Sequence, residues 1–270
     1  MGSGITQIVA QHDFEVIQYD LDEGILSKSK STISLNLQKL VDRGKMSVAE
    51  KEAAIRSIIF TSNISDCIAD VVIEAVVENR EIKMQLFNSL YKNNGSQTIF
   101  ATNTSSISVS TLCRDMGYEE RFAGMHFFNP APLMNLVEII RAEKTSPIVI
   151  DILAALAKRL GKTPVICNDA PGFIVNRAAR PYYLEAMHMV ESGLTDMETI
   201  DTIMEATGFK MGPFRLMDLI GMDVNYSVSN IVWEALGKPE RLRPSSLQKM
   251  KVDAGELGRK TGKGFYDYGS

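Results

Sequence analysis

The 270-residue chain has little that would suit a metal centre, a disulfide framework or a membrane. Its three cysteines, Cys67, Cys113 and Cys167, are far apart, odd in number and in no CxxC or Cys/His cluster, so reduced buried thiols and no metal are expected. Thiols kept reduced point to a cytoplasmic setting. No uncharged apolar run reaches the about 18 residues of a membrane span. The first residues lack a basic stretch followed by an apolar core, so no secretory leader is expected. A basic excess is also lacking: the net charge of −4 argues against a nucleic-acid binder, whose phosphate contacts need a basic face. No internal repeat or low-complexity segment occurs. What is present, 45% apolar and 23% charged residues, is the balance of a soluble globular protein with core enough for one large domain or two smaller ones.

The chain is organised around residues 121–140, RFAGMHFFNPAPLMNLVEII. His126 ends an apolar run just before an Asn-Pro turn, and proline biases the residue before it toward extended geometry and stops a strand. His126 is therefore expected at the mouth of a sheet, where open α/β sheets bind ligands. Glu138 stands alone in a second apolar, strand-like run, and an ionised carboxylate there needs a partner. His126 is the nearest one. So paired, the carboxylate orients the imidazole, fixes its tautomer and readies it to take a proton. The plainer reading, two satisfied structural polar groups, stands beside this one.

Before residue 168 strands alternate with helices. Residues 15–20, 57–61, 70–77, 98–103 and 163–167 read as strands, with 70–77 (DVVIEAVV) buried on both faces as parallel strands are. Residues 21–44 read as a long helix with Ile25, Ile33, Leu37, Leu40 and Val41 on its apolar side, and 79–92 and 145–160 as further helices. After Asn168-Asp169-Ala170-Pro171-Gly172 the pattern is almost wholly helical. Two domains follow, 1–169 and 170–270. In the second, Thr195-Asp196-Met197-Glu198 reads as a capping box, Pro213 as a first-turn proline, and Pro181 as a kink. The tail GRKTGKGFYDY is glycine-rich but follows no strand and opens no helix, so it is not a phosphate loop. His12 and His188 read as surface residues.

The motifs HFFNP and LVE, with NTSS upstream and MGPF and PGFIVNR downstream, resemble the short-chain (S)-3-hydroxyacyl-CoA dehydrogenases, especially the bacterial 3-hydroxybutyryl-CoA dehydrogenases, over nearly the whole chain. The resemblance implies a Rossmann-like doubly wound α/β sheet that binds NAD, followed by an all-α domain for substrate and dimerisation. MGSGITQIVAQ then looks like the helix after the dinucleotide loop, with Gly2 as the third glycine of G-x-G-x-x-G, the one that lets helix pack on strand. The preceding strand and first two glycines are not in this sequence. Their loss should open a gap in the parallel sheet, and the natural start is expected upstream of Met1 or the chain is an incomplete product.

Further residues take roles by the same resemblance. Asp20 accepts from the ribose hydroxyls and disfavours a 2′-phosphate, hence NAD over NADP. Glu78 and Lys83 lie near the nicotinamide ribose and the substrate's phosphopantetheine, the plainer reading being a helix N-terminal acid and an exposed lysine. Asn103, Asn129 and Lys260 lie beside the cofactor. Ser105 serves both the cofactor and the substrate hydroxyl, although Ser or Thr at a strand-to-helix junction usually caps the helix. Asn176 faces the acyl chain, and Arg43 and Lys45 the coenzyme A phosphates. The reaction implied is reversible oxidation of a (S)-3-hydroxyacyl-CoA, with His126, Glu138, Ser105 and Asn176 as the working set and a homodimer formed through the helical domain. Two alternatives stay open: a related sugar-acid dehydrogenase, and an acyl-CoA-binding remnant without turnover.

Overall fold

The computed structural model describes residues 1–269, and the chain divides into two compact units, Met1–Asp169 and Ala170–Ser270. The first begins with α1 (Gly2–Ala10), β1 (Val16–Tyr19), α2 (Glu23–Asp42), α3 (Val48–Arg56) and β2 (Ile58–Thr61). The Asp22 carboxylate accepts the amides of Gly24 and Ile25 and so starts α2. That start sets the helix phase: Leu26, Ser29, Ile33 and Leu37 face inward, while Ile25, expected on the apolar side, is 50% exposed.

Next come β3 (Val71–Glu74), α4 (Arg80–Asn93), β4 (Ile99–Thr102), α5 (Val109–Cys113), β5 (Phe122–Phe127), β6 (Leu136–Arg141), α6 (Pro147–Arg159) and β7 (Thr163–Asn168). The Rossmann-like sheet is in two pieces. β1 and β2 form a parallel pair, and β3-β4-β5-β6-β7 form a separate five-stranded sheet. Only β5 and β6 are antiparallel in that sheet. β1 and β3 therefore each bond a strand on one side alone. Helix α1 ties the pieces together: Ile5 and Ile8 belong to the core over β4, β5, β6 and α6, while Ala10 packs with Ile33, Leu37, Ala54 and Ile58 over the smaller piece.

β3 is shorter and less covered than the sequence suggested. It stops at Glu74, whose carboxylate takes the Val76 amide at 2.7 Å and draws the chain out of the ladder. Val71, Val72 and Ile73 are half-buried, because a strand with one neighbour is not sheltered on its other flank. β4 is buried at every position.

The second unit holds α7 (Val175–Glu191), α8 (Met197–Ala206), α9 (Pro213–Ile220), α10 (Met222–Ala235) and α11 (Ser246–Asp253) around Met187, Phe214, Met217, Met222 and Val232. α7 continues through Pro181. The capping box expected at Thr195 is instead a single cap one residue on, where Asp196 accepts the Thr199 amide at 2.8 Å. Buried Asp201 accepts the amides of Phe214 and Arg215 and the Tyr266 hydroxyl, closing the start of α9. The glycines of the tail serve packing. Asp218 accepts the amides of Phe265 and Tyr266, and a Cβ at Gly258 or Gly264 would overlap Asp218. His12 and His188 are half-buried rather than on the surface, His12 with Nδ1 2.8 Å from the Ile8 carbonyl. Among the described residues no helix is long and apolar enough to cross a membrane.

Candidate active site

The antiparallel register of β5 and β6 sets Glu138 directly opposite His126, although twelve positions separate them in the chain. Cross-strand neighbours on one face are close enough for side chains to meet. His126 Nδ1 lies 2.8 Å from Glu138 Oε2, with both residues buried, at 6% and 1% exposure. An ionised carboxylate only accepts, so Nδ1 donates the proton of this bond. Phe128 covers the imidazole, with ring centroids 4.6 Å apart. The Asn103 side chain accepts the Phe127 amide at 2.8 Å, which pins the end of β5 to the end of β4 beside His126.

The turn after β4, Thr104-Ser105-Ser106, is gripped by one carboxylate. Glu78 Oε1 accepts from Thr104 Oγ1 at 2.5 Å, from the Ser105 amide at 2.9 Å and from the Ser106 amide and hydroxyl at 3.2 and 3.0 Å. Its other oxygen is 3.2 Å from Lys83 Nζ. Burial favours the neutral acid, but the Thr104 hydroxyl, the Lys83 charge and the Ser105 amide outweigh it and hold this carboxyl below its ordinary range. Capping falls elsewhere than expected: Ser108 Oγ takes the Thr111 amide and starts α5, while Thr104 Oγ1 takes the Ile107 amide. Ser105 is half-buried and is not the cap.

Lys83 is not the exposed lysine of the plainer reading. It is 1% exposed, and its ammonium faces Glu74 Oε1 at 2.7 Å, Glu78 Oε2 at 3.2 Å and the Val76 carbonyl at 3.5 Å. Its shortest contact, to Glu74, is between two enclosed side chains. Sequence reasoning missed Glu74, Thr102 and Thr104, which complete this cluster. The signal for Glu74 was available, since it too is a lone acid in an apolar strand.

Asp20 directly follows β1, half-buried, with Oδ1 accepting the Asp22 amide at 3.1 Å. The close approach expected at Gly2 is made by Gly4: a Cβ at Gly2 would meet nothing within 4 Å, whereas one at Gly4 would meet Pro132 and Ala131 at 3.2 and 3.3 Å. Asn129 stands exposed on the loop joining β5 to β6. Lys162 holds that loop with a buried ammonium that donates to the carbonyls of Ala131 at 2.7 Å and Met134 at 2.9 Å. Burial lowers the pKa of Lys162. Arg43 and Lys45 are exposed just past the end of α2.

In the second unit Asn176 opens α7, its carbonyl bonded by Nε of the buried Arg180 at 3.0 Å. Burial pulls the Arg180 pKa down to about 10, against the opposing influence of Tyr183. Lys260 is ion-paired with Asp223 at 2.5 Å. The structure thus pairs His126 with Glu138 across β5 and β6, joins Ser105, Glu78 and Lys83 in a second set, and links the ends of β4 and β5 through Asn103.

Residues 1–170 match the family model described as the 3-hydroxyacyl-CoA dehydrogenase NAD binding domain, and residues 172–268 match that of its C-terminal domain. A Deinococcus radiodurans protein named "Probable 3-hydroxybutyryl-CoA dehydrogenase" is 42% identical over 99% of this chain and 96% of its own length. The 3-hydroxyadipyl-CoA dehydrogenase of Escherichia coli is 41% identical, and the present chain spans 57% of that longer protein. The solved (S)-3-hydroxybutyryl-CoA dehydrogenase of Ralstonia eutropha has 36% identity and a TM-score of 0.96, over 100% of this chain and 96% of that one. The chain belongs to the 3-hydroxyacyl-CoA dehydrogenase family of NAD-dependent oxidoreductases.

Proposed function

We propose that this chain catalyses reversible hydride transfer between C3 of a short (S)-3-hydroxyacyl-CoA, the 3-hydroxybutyryl thioester first, and NAD. The observation that carries this is the buried His126–Glu138 pair near the end of β5, which Asn103 bonds to the end of β4. In oxidation His126 Nε2 takes the proton of the 3-hydroxyl while Glu138 stabilises the imidazolium; in reduction the same nitrogen returns it. Such general acid-base help is worth roughly 10²–10⁴-fold. Ser105 holds the C3 oxygen, and Asn176 holds the thioester side of the acyl chain.

The residues present fit the adenosine end of NAD. The Asp20 carboxylate directly follows a strand and has one oxygen steadied by the Asp22 amide, which suits a ribose diol and repels a 2′-phosphate. NAD supplies the hydride acceptor. Around it, the reading places Gly2 at the pyrophosphate, Asn103, Asn129, Ser105 and Glu78 toward the nicotinamide half, and Lys260 at its edge. Lys83, with Glu78, is read near the nicotinamide ribose and the substrate's phosphopantetheine, and Arg43 with Lys45 meets the coenzyme A phosphates. The first unit is thus read as the NAD-binding domain and the second as the substrate and dimerisation domain. Exposed Leu194, Ile203, Phe209 and Met250 of the second unit support a homodimer formed through that unit. Three unpaired thiols support a cytoplasmic setting.

The test is to offer acetoacetyl-CoA with NADH, and gulonate with NAD, to the same preparation. Turnover of the thioester and not of the sugar acid is expected. Turnover of the sugar acid alone, or coenzyme A binding without any turnover, would overturn the reading.

A further inference from the structure

We propose that Glu74 is a positioning residue for this reaction: with Lys83 it holds Glu78 in place, and through Glu78 the Thr104-Ser105-Ser106 turn. Glu74 lies at the end of β3 with its side chain fully enclosed. Its Oε1 accepts from Lys83 Nζ and from the Val76 amide, both at 2.7 Å, and its Oε2 from Thr102 Oγ1 at 2.7 Å. One carboxylate therefore joins the end of β3, the end of β4 and the first turns of α4. Lys83 passes the hold on to Glu78, and Glu78 grips the turn that carries Ser105. Lys83 is the ionised group within bonding reach of Glu78 among the described residues, with Glu74 behind it; the β4 side offers hydroxyls and amides.

Burying an ion pair is a poor way to gain stability, since taking both charges out of water offsets most of their attraction, and apolar residues of similar size often serve the fold as well. A pair kept for stability alone should therefore be replaceable without loss of activity. This one ends on the turn that the proposed reaction uses, and it holds that turn by charge. The inference rests on the reading of Ser105 as the residue that meets the C3 oxygen.

The experiment compares the wild type with the double variant Glu74→Met/Lys83→Met, which removes both charges and keeps side-chain volume. The protein should remain folded, with its thermal midpoint close to wild type. For acetoacetyl-CoA reduction kcat should fall about tenfold or more, because small misplacements of reacting groups are expensive. The KM for NADH should rise by less than kcat falls, since Asp20, assigned to the adenosine end, is on the other piece of the sheet. With no cation beside it, Glu78 should titrate higher, so its grip on the turn is lost at a higher pH and the acid limb of the kcat profile moves up. A folded double variant with wild-type kcat and an unmoved acid limb overturns the proposal. If the double variant does not fold, Glu74→Gln carries the test: it is isosteric, and a fall in kcat larger than any rise in the KM for NADH supports the proposal while an unchanged kcat overturns it. Wild-type protein without activity would instead sink the functional reading itself, so the two failures are distinct.

Discussion

The two pieces of the split sheet differ in burial and in the side chains laced across them. β1 is half-buried at all four positions and bonds β2 alone, whereas β4 and β5 in the five-stranded sheet are buried throughout. The strand ends of the larger piece are joined by Asn103 to Phe127, Glu74 to Thr102 and Lys83, and His126 to Glu138. The smaller piece presents Asp20 at its strand end, steadied by a single amide. Proton transfer needs groups fixed to a fraction of an ångström, while holding a ribose tolerates more play. The proposed proton-transfer residues accordingly lie on the interlocked piece, and the acid assigned to the cofactor lies on the other.

This comparison can be broken from either side. His126→Gln should leave NADH binding intact and cut turnover by at least ~10²-fold in steady-state assays with acetoacetyl-CoA; a variant near wild-type rate would remove His126 as the base. Asp20→Ala should act in the opposite way, raising the KM for NADH about tenfold with kcat little changed, as expected for the loss of a charged hydrogen-bond acceptor. Amide exchange should separate the pieces physically, with β1 and β2 exchanging at least about tenfold faster than β4 and β5. Equal protection would mean that the two pieces open as one.

The smallest effect concerns acid. Glu78 titrates below its ordinary 4.5 in the folded protein. A lowered folded pKa stabilises the native state above the unfolded pKa, and that stability is lost as pH falls through the folded value. Denaturant melts of wild type and Glu78→Gln should therefore differ at pH 7, with the difference starting to shrink as pH falls past the unfolded value and closing only below the lower folded one. A difference that persists in acid would mean the clamp does not depend on the carboxylate charge.

Much of this was legible because apolar context makes a lone polar residue conspicuous. Glu138 stood out in MNLVEII, and its need for a partner led to His126. Glu74 carried the same signal in DVVIEAVV but was passed over, since an unbroken strand to Val77 made it look like one position among many. The strand in fact ends at Glu74 because the side chain competes with the ladder for the Val76 amide. Pairing direction was also hidden: apolar runs around His126 and Glu138 suggest strands, but not that they run antiparallel in the register that faces His126 with Glu138. Thr195 and Asp196 are both good caps one residue apart, and composition does not choose between them. Lys83 was misjudged because lysines are seldom fully buried, and nothing local in the helix 80–93 announces Glu74 across from it.

The most direct test of the account is NADH oxidation with acetoacetyl-CoA, measured on this chain and on a version extended before Gly2 with a strand able to pair with β1 and β3. Joining the two pieces should lower the KM for NADH and slow exchange at β1, while kcat at saturating NADH, set on the five-stranded piece, should stay the same within about twofold. If neither form reduces acetoacetyl-CoA, the proposed dehydrogenase activity is contradicted, and if extension multiplies kcat while leaving the KM for NADH unmoved, so is the division of work between the two pieces.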